Sequence, residues 1–145
     1  MLASGSEDAT VKLWNLRTRT CEATLEGHHG RVRALTFSPD GNTLAVGSED
    51  ANVHLWRTDP PQHLDILQGH TDRVRSLAFN NRGTTLVSGS EDQTIRLWNA
   101  QTHECTKVLY DDGNEVRAVG FSPDGQIIAS GGDAQIVRLW DVYSR

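Results

Sequence analysis

Four tryptophans, Trp14, Trp56, Trp98 and Trp140, follow one another at a constant spacing of 42 residues. The spacing is not confined to tryptophan. Leu13, Leu55, Leu97 and Leu139 keep it, as do Phe37, Phe79 and Phe121, and Gly41, Gly83 and Gly125, without one insertion. A chain of 145 residues written this way is a tandem array. Such arrays fold by stacking units that cannot bury their apolar faces alone. The repeated phrase is "LASGSEDATVKLWN", which returns as "LAVGSEDANVHLWR", "LVSGSEDQTIRLWN" and "IASGGDAQIVRLWD".

Within a unit the apolar segments are short. "RVRALTFS", "TLAVGS" and "NVHLWR" are rich in Val, Leu, Phe and Trp and are bounded by turn residues, the signature of strands. "SPDG" between the first two predicts a tight hairpin, with Pro39 presetting φ and Gly41 accepting a positive φ. "SEDAN" makes the next turn, and "TDPPQ" breaks the chain before a fourth strand, "HLDIL". Gly, Pro and Asp interrupt every candidate helix. In "TVKLW", Val11 and Leu13 point to one face and Trp14 to the other, so both faces carry large apolar groups. That suits a sheet sandwiched between two neighbours. Four strands in about 42 residues is the pattern of a propeller blade. The predicted fold is therefore all-β: a half blade over 1–16, three four-stranded units over 17–58, 59–100 and 101–142, and a tail over 143–145.

At this point the chain resembles the WD40-repeat β-propeller family along its whole length. The resemblance rests on Gly27-His28 and Gly69-His70, on "FSPDG" at 37–41 and 121–125, and on the "SGSED…LW" runs. Only the last repeat ends in Trp140-Asp141; the others read Trp-Asn or Trp-Arg. The resemblance implies a bracing tetrad of His, Ser or Thr, Asp and Trp in each blade. Carried over by position, His70, Ser88, Asp92 and Trp98 make one complete set. A second has His28, Asp50 and Trp56, with Val46 in place of the hydroxyl. The first repeat offers Ser4, Asp8 and Trp14 without a histidine. The last keeps Ser130 and Trp140, with Asp112 at the histidine position and Ala134 at the aspartate position, which predicts looser upper loops there.

A Ser, a His and an Asp invite comparison with a hydrolase triad. The trio recurs at a fixed period beside an indole donor, which points to bracing and not to catalysis. No nucleophile elbow, phosphate-binding loop or zinc motif is present, so neither enzyme activity, a metal nor a cofactor is expected. His28-His29 lacks a third spaced ligand, and Asp111-Asp112 with Asn114 reads as a solvated acidic loop.

The resemblance also marks the residues that build the central upper face. They are Arg33, Arg75 and Arg117 after the Val of each innermost strand, and Arg31, Arg73 and Glu115 before it. Glu7, Glu49, Glu91 and Asp133 precede the tetrad aspartate position. Two readings stand: a self-neutralised ring of ion pairs, or a forked arginine docking site for an acidic or phosphorylated protein segment.

The net charge of −5 lacks the basic footprint of a nucleic-acid binder. No apolar run approaches a bilayer span, and no signal segment is visible. Cys21 and Cys105 lie 84 residues apart, at equivalent positions of separate units, and are expected as reduced thiols of a cytoplasmic protein. Three and a half units leave apolar faces and strand edges unfilled, to be completed by self-association or by further sequence. Two copies would supply twenty-eight strands, enough for seven sets of four. The function expected is a non-enzymatic scaffold for protein–protein interaction. The alternative is a structural or engineered propeller fragment that closes a ring without a dedicated ligand.

Overall fold

The computed structural model describes residues 1–144, and these form fourteen antiparallel strands in four sheets with no helix. Sheet I holds β1 (Leu2–Gly5), β2 (Val11–Asn15) and β3 (Thr20–Leu25). Sheet II holds β4 (Val32–Phe37), β5 (Thr43–Ser48), β6 (Val53–Thr58) and β7 (Pro61–Leu67). Sheet III holds β8 (Val74–Phe79), β9 (Thr85–Ser90), β10 (Thr94–Asn99) and β11 (Cys105–Tyr110). Sheet IV holds β12 (Val116–Phe121), β13 (Ile127–Gly132) and β14 (Val137–Asp141).

The strand total agrees with the count from sequence, but its division differs. The sheets contain three, four, four and three strands, not two, four, four and four. Sheets and repeats are out of step by one strand. The last strand of sheets I, II and III belongs to the following sequence unit, because the short turn from β2 to β3, or from β6 to β7, can only place the two strands side by side. The longer connection, such as 26–31, then crosses to the next sheet. This interlock also corrects the arithmetic of assembly. Two copies hold four complete and four three-stranded sheets, which do not tile seven blades unless strands change partners.

The core lies in the joints between sheets. Val11, Leu13 and Leu25 of sheet I meet Val32, Leu44, Val46 and Trp56 of sheet II, and the same grouping recurs at the two later joints. A glycine on β5 and one on β9 each admit the first valine of the next sheet's innermost strand. A Cβ at Gly47 would lie 2.8 Å from Val74 Cγ1, and one at Gly89 would lie 2.6 Å from Val116 Cγ1. At Gly131 the same socket has nothing within 4 Å. The apolar faces agree with this. Leu13, Leu55 and Leu97 are 1%, 2% and 3% exposed, whereas Leu139 and Val137 are each 71% exposed.

Candidate functional site

Each innermost strand carries a register shift immediately after its first valine, between Val32/Ala34, Val74/Ser76 and Val116/Ala118. The skipped residue is Arg33, Arg75 or Arg117. A bulge leaves its extra residue unpaired and re-aims the side chain, here toward the end of the sheets where the β5–β6 and β9–β10 turns stand. Arg33 Nε and Nη2 both donate to Glu49 Oε1, at 2.8 and 2.6 Å. Arg75 grips Glu91 in the same way. Arg117 donates to Asp133 Oδ1 at 2.5 Å and to Glu115 Oε2 at 2.9 Å. Arg31 reaches Glu7 at 3.3 Å.

Arg73 is held differently. It stands between sheets II and III, 3.8 Å from Glu49 and 3.7 Å from Glu91, and its guanidinium makes no hydrogen bond among the described residues. Its side chain is 47% exposed, against 20% for Arg75. The upper rim is thus a ladder of five arginines and five acids, in which Arg33 and Arg75 are supports and Arg31, Arg73 and Arg117 face solvent. The hydrogen bond from Arg33 holds the Glu49 carboxyl below its ordinary range, and that from Arg117 does the same for Asp133.

Beneath the rim the four braces differ. In sheet III the set is complete. Trp98 Nε1 donates to Ser88 Oγ at 2.9 Å, the Ser88 hydroxyl donates to His70 Nε2 at 2.7 Å, and His70 Nδ1 donates to Asp92 Oδ2 at 2.8 Å. Burial opposes the Asp92 charge, but hydrogen bonds from His70, Thr94 and the Thr71 amide outweigh it and lower its pKa. These distances are those of a catalytic triad. Ser88 is nevertheless 0% exposed and its oxygen is occupied by an indole, so no carbonyl carbon can approach it.

In sheet II the valine at position 46 rewires the brace. With no hydroxyl between them, Trp56 Nε1 donates directly to His28 Nε2 at 3.2 Å. His28 then turns its Nδ1–H to the Ala9 carbonyl of sheet I, at 3.0 Å, and makes no hydrogen bond to Asp50. His54 takes that carboxylate instead, at 3.1 Å, together with the amides of His29 and Asn52. His54 was not among the sequence candidates. Its counterparts Lys12, Arg96 and Arg138 disguise the position as an ordinary basic one, and only the loss of the hydroxyl at Val46 hinted at a substitute.

The outer sheets are simpler. Trp14 donates to Ser4 at 2.9 Å, while Asp8 serves only its own turn through Thr10 and Ser6. In sheet IV the residue at the histidine position, Asp112, takes no part in the brace. Asp112 has φ of 37° and points to solvent, and its neighbour Asp111 is the buried one. Asp111 accepts from Ser130 at 3.4 Å and pairs with Arg138 at 2.8 Å, below a Trp140–Ser130 bond of 2.8 Å. The pair of aspartates is therefore not a wholly solvated loop. Among the described residues no group of three or more His, Cys, Asp or Glu is placed to hold a metal ion. Cys21 and Cys105 are free and exposed.

Blades that interlock by one strand, three of them carrying a bulged arginine over an internal brace, define a propeller-forming repeat protein. The chain belongs to the WD40 family: the model described as "WD domain, G-beta repeat" matches residues 1–15, 19–57, 61–99 and 103–141. Among curated proteins it is similar to DDB1- and CUL4-associated factor 13 of Dictyostelium discoideum, 52% identical over 40 residues, which is 28% of this chain and 9% of that protein. It is also similar to the Lissencephaly-1 homolog of Dictyostelium discoideum, 51% identical over 43 residues, 30% of this chain and 10% of that one. A third match is small ribosomal subunit protein RACK1y of Oryza sativa subsp. japonica, 48% identical over 44 residues, 30% and 13%. Each match spans about one repeat, so the aligned part is a small fraction of each relative.

Proposed function

We propose that this chain is a non-enzymatic scaffold that docks a protein segment on its upper rim, through Arg31, Arg33, Arg73, Arg75 and Arg117 with Glu49 and Glu91. The observation that carries the reading is Arg73, an exposed guanidinium fork suspended over two carboxylates and hydrogen-bonded to neither. Two relatives have names that place them with larger assemblies, one associated with DDB1 and CUL4 and one in a small ribosomal subunit, which agrees with a scaffold. The rim is charge-balanced, so its partner is read by placement more than by bulk charge. One carboxylate or phosphate opposite Arg73 is the chemistry the fork accepts, without nucleic acid or membrane as ligand. The test is affinity capture followed by cross-linking, comparing the unaltered chain with Arg31→Ala/Arg73→Ala. Proteins cross-linked to the rim should disappear from the variant; unchanged capture would remove the rim from the account.

A second reading, self-association into a ring without a dedicated ligand, is favoured by a different observation. Val137 and Leu139 present to solvent the face that Val11, Val53 and Ile95, with Leu13, Leu55 and Leu97, bury at three internal joints. A second copy offers the complementary open face of sheet I, where Leu2 and Leu16 are exposed.

A further inference from the structure

Of the two brace histidines, only His28 reaches out of its own sheet. Its Nδ1–H donates to the Ala9 carbonyl of sheet I at 3.0 Å, whereas His70, in the same place of the next repeat, donates to Asp92 of its own sheet at 2.8 Å. The carbonyl is presented alike in both repeats. Ala9 and its counterpart Ala51 share a φ of 69°, and their amides bond the Ser6 and Ser48 carbonyls in the same turn. The carboxylate is placed alike too. Asp50 receives the amide of His29 at 3.2 Å and Asp92 that of Thr71 at 3.0 Å, in each case the residue directly after the histidine. His28 therefore has two acceptors to choose from, a neutral carbonyl across the joint and an ionised carboxylate within its sheet.

Charge selects between them. Nε2 of His28 accepts from the Trp56 indole, so the present seat admits only the neutral ring, and a proton there would set N–H against N–H. The seat also lacks an anion. The ring lies against Trp56 and edge-on to His54, with centroids 5.7 and 4.7 Å away, and His63 packs edge-on to both of those rings. The titratable groups facing His28 are His54 of β6, His63 of β7 and Asp50 of the β5–β6 turn. From sheet I, the turn that holds Ala9 also carries Glu7 and Asp8, the first paired with Arg31 and the second held by Thr10. Asp50 is the anion with room. It accepts three hydrogen bonds, from His54, Asn52 and His29, and an ionised carboxylate takes about four.

We infer that His28 is a proton-operated latch between sheets I and II: the neutral ring bonds Ala9 across the joint, and the imidazolium turns to Asp50 and releases the 6–10 turn. Burial sets the charging of His28 below the ordinary histidine value of 6.5, so the latch is closed at neutral pH and opens in acid. The other polar ties between the two sheets, among the described residues, are the Val32 amide on the Ser6 carbonyl at 3.1 Å and the exposed Arg31–Glu7 pair. Both end on the turn that His28 holds. Its release loosens the first and withdraws Glu7 from the second, leaving Arg31 without an acid at the rim. The latch stands whether or not the rim docks a partner.

The test uses the full chain, ¹⁵N-labelled, at pH 7.5 and 5.0, and reads amide protection factors together with the ring nitrogens of His28. Val32 reports the latched joint, and Val74, its counterpart in sheet III, reports a joint without a latch. Protection of Val32 should fall at least tenfold at pH 5.0 while that of Val74 stays within twofold, with His28 passing from the Nδ1–H tautomer to imidazolium. His28→Gln cannot charge and should hold Val32 within twofold, whereas His63→Asn should respond as the unaltered chain does. Val46→Ser supplies the hydroxyl found at Ser88 and should leave Val32 weakly protected at both pH values. Matched thermal midpoints at pH 7.5 show that the variants fold. On the unaltered chain alone, an unchanged Val32, an equal fall at Val74, or a His28 ring still neutral at pH 5.0 would each overturn the latch. A response that survives His28→Gln or disappears with His63→Asn would do the same.

Discussion

Trp56 and Trp98 occupy the same place in their repeats, yet their indole N–H groups end on different acceptors, His28 Nε2 and Ser88 Oγ. One hydroxyl accounts for the difference. Removing it from the intact brace, as Ser88→Ala, leaves a buried indole donor and His70 Nε2 unpaired. It should cost roughly 2–4 kcal/mol in denaturant unfolding. The rewired brace carries a distinct acid signature. His28 accepts from Trp56 at Nε2 and donates at Nδ1, so only the neutral ring fits, and burial lowers its pKa from the ordinary value. The groups facing it are His54, His63 and Asp50. A base whose pKa is lowered by folding contributes stability above its unfolded value, near 6.5, and loses it as the pH falls below. The lowered Asp50 and Asp92 act in a separate window, below the ordinary carboxylate value of 3.8. The thermal midpoint should therefore drop between pH 7.5 and 5.5, and His28→Gln should flatten that drop; an equal drop in the variant would exclude His28. Residue counting marks positions in each repeat and carries no account of how they are bonded. The replacement of Ser by Val46 was visible, whereas the passage of Asp50 to His54, and the burial of Asp111 beside an exposed Asp112, depend on side-chain reach and loop dihedral, which spacing does not encode.

The elements were largely legible because each strand is bounded by turn chemistry that repeats. The "SPDG" hairpin forms as expected, with Gly41 at φ of 75° and its amide bonded to the Ser38 carbonyl at 2.8 Å. Sheet membership was less legible, since periodicity gives the length of a unit and not where the unit begins. The short connection from β6 to β7 decides that, by pairing β7 with the strand before it. Bulges were invisible too, and they aim Arg33, Arg75 and Arg117 upward. The joints make a prediction at this scale. Leu97 and Leu139 are the same residue of the repeat, one buried and one open. Leu97→Ala should cost about 2–5 kcal/mol, while Leu139→Ala in the monomeric chain should stay within about 0.5 kcal/mol. Equal costs would mean that the outer face of sheet IV is covered in solution.

The whole molecule has two kinds of surface: an open face and a finished rim. The open face exposes Leu139, and a Cβ at Gly131 would have nothing within 4 Å, whereas the internal joints bury the equivalent positions. Light scattering at micromolar concentration should report a mass that is a multiple of 16.0 kDa. Val137→Lys/Leu139→Lys should return it to that of one chain. A folded single chain in both cases would dispose of self-association. The rim follows a different logic, because its arginines and acids already neutralise one another and exposed pairs contribute little to stability. Replacing Arg31 and Arg73 should therefore leave the unfolding midpoint nearly unchanged while altering what the protein holds. Cross-linked capture on the unaltered chain, beside Arg31→Ala/Arg73→Ala, measures that separation directly. Rim-cross-linked proteins are expected on the unaltered chain, with their loss from the variant and matched midpoints for both; the same cross-linked proteins on the variant would rule out docking at the rim.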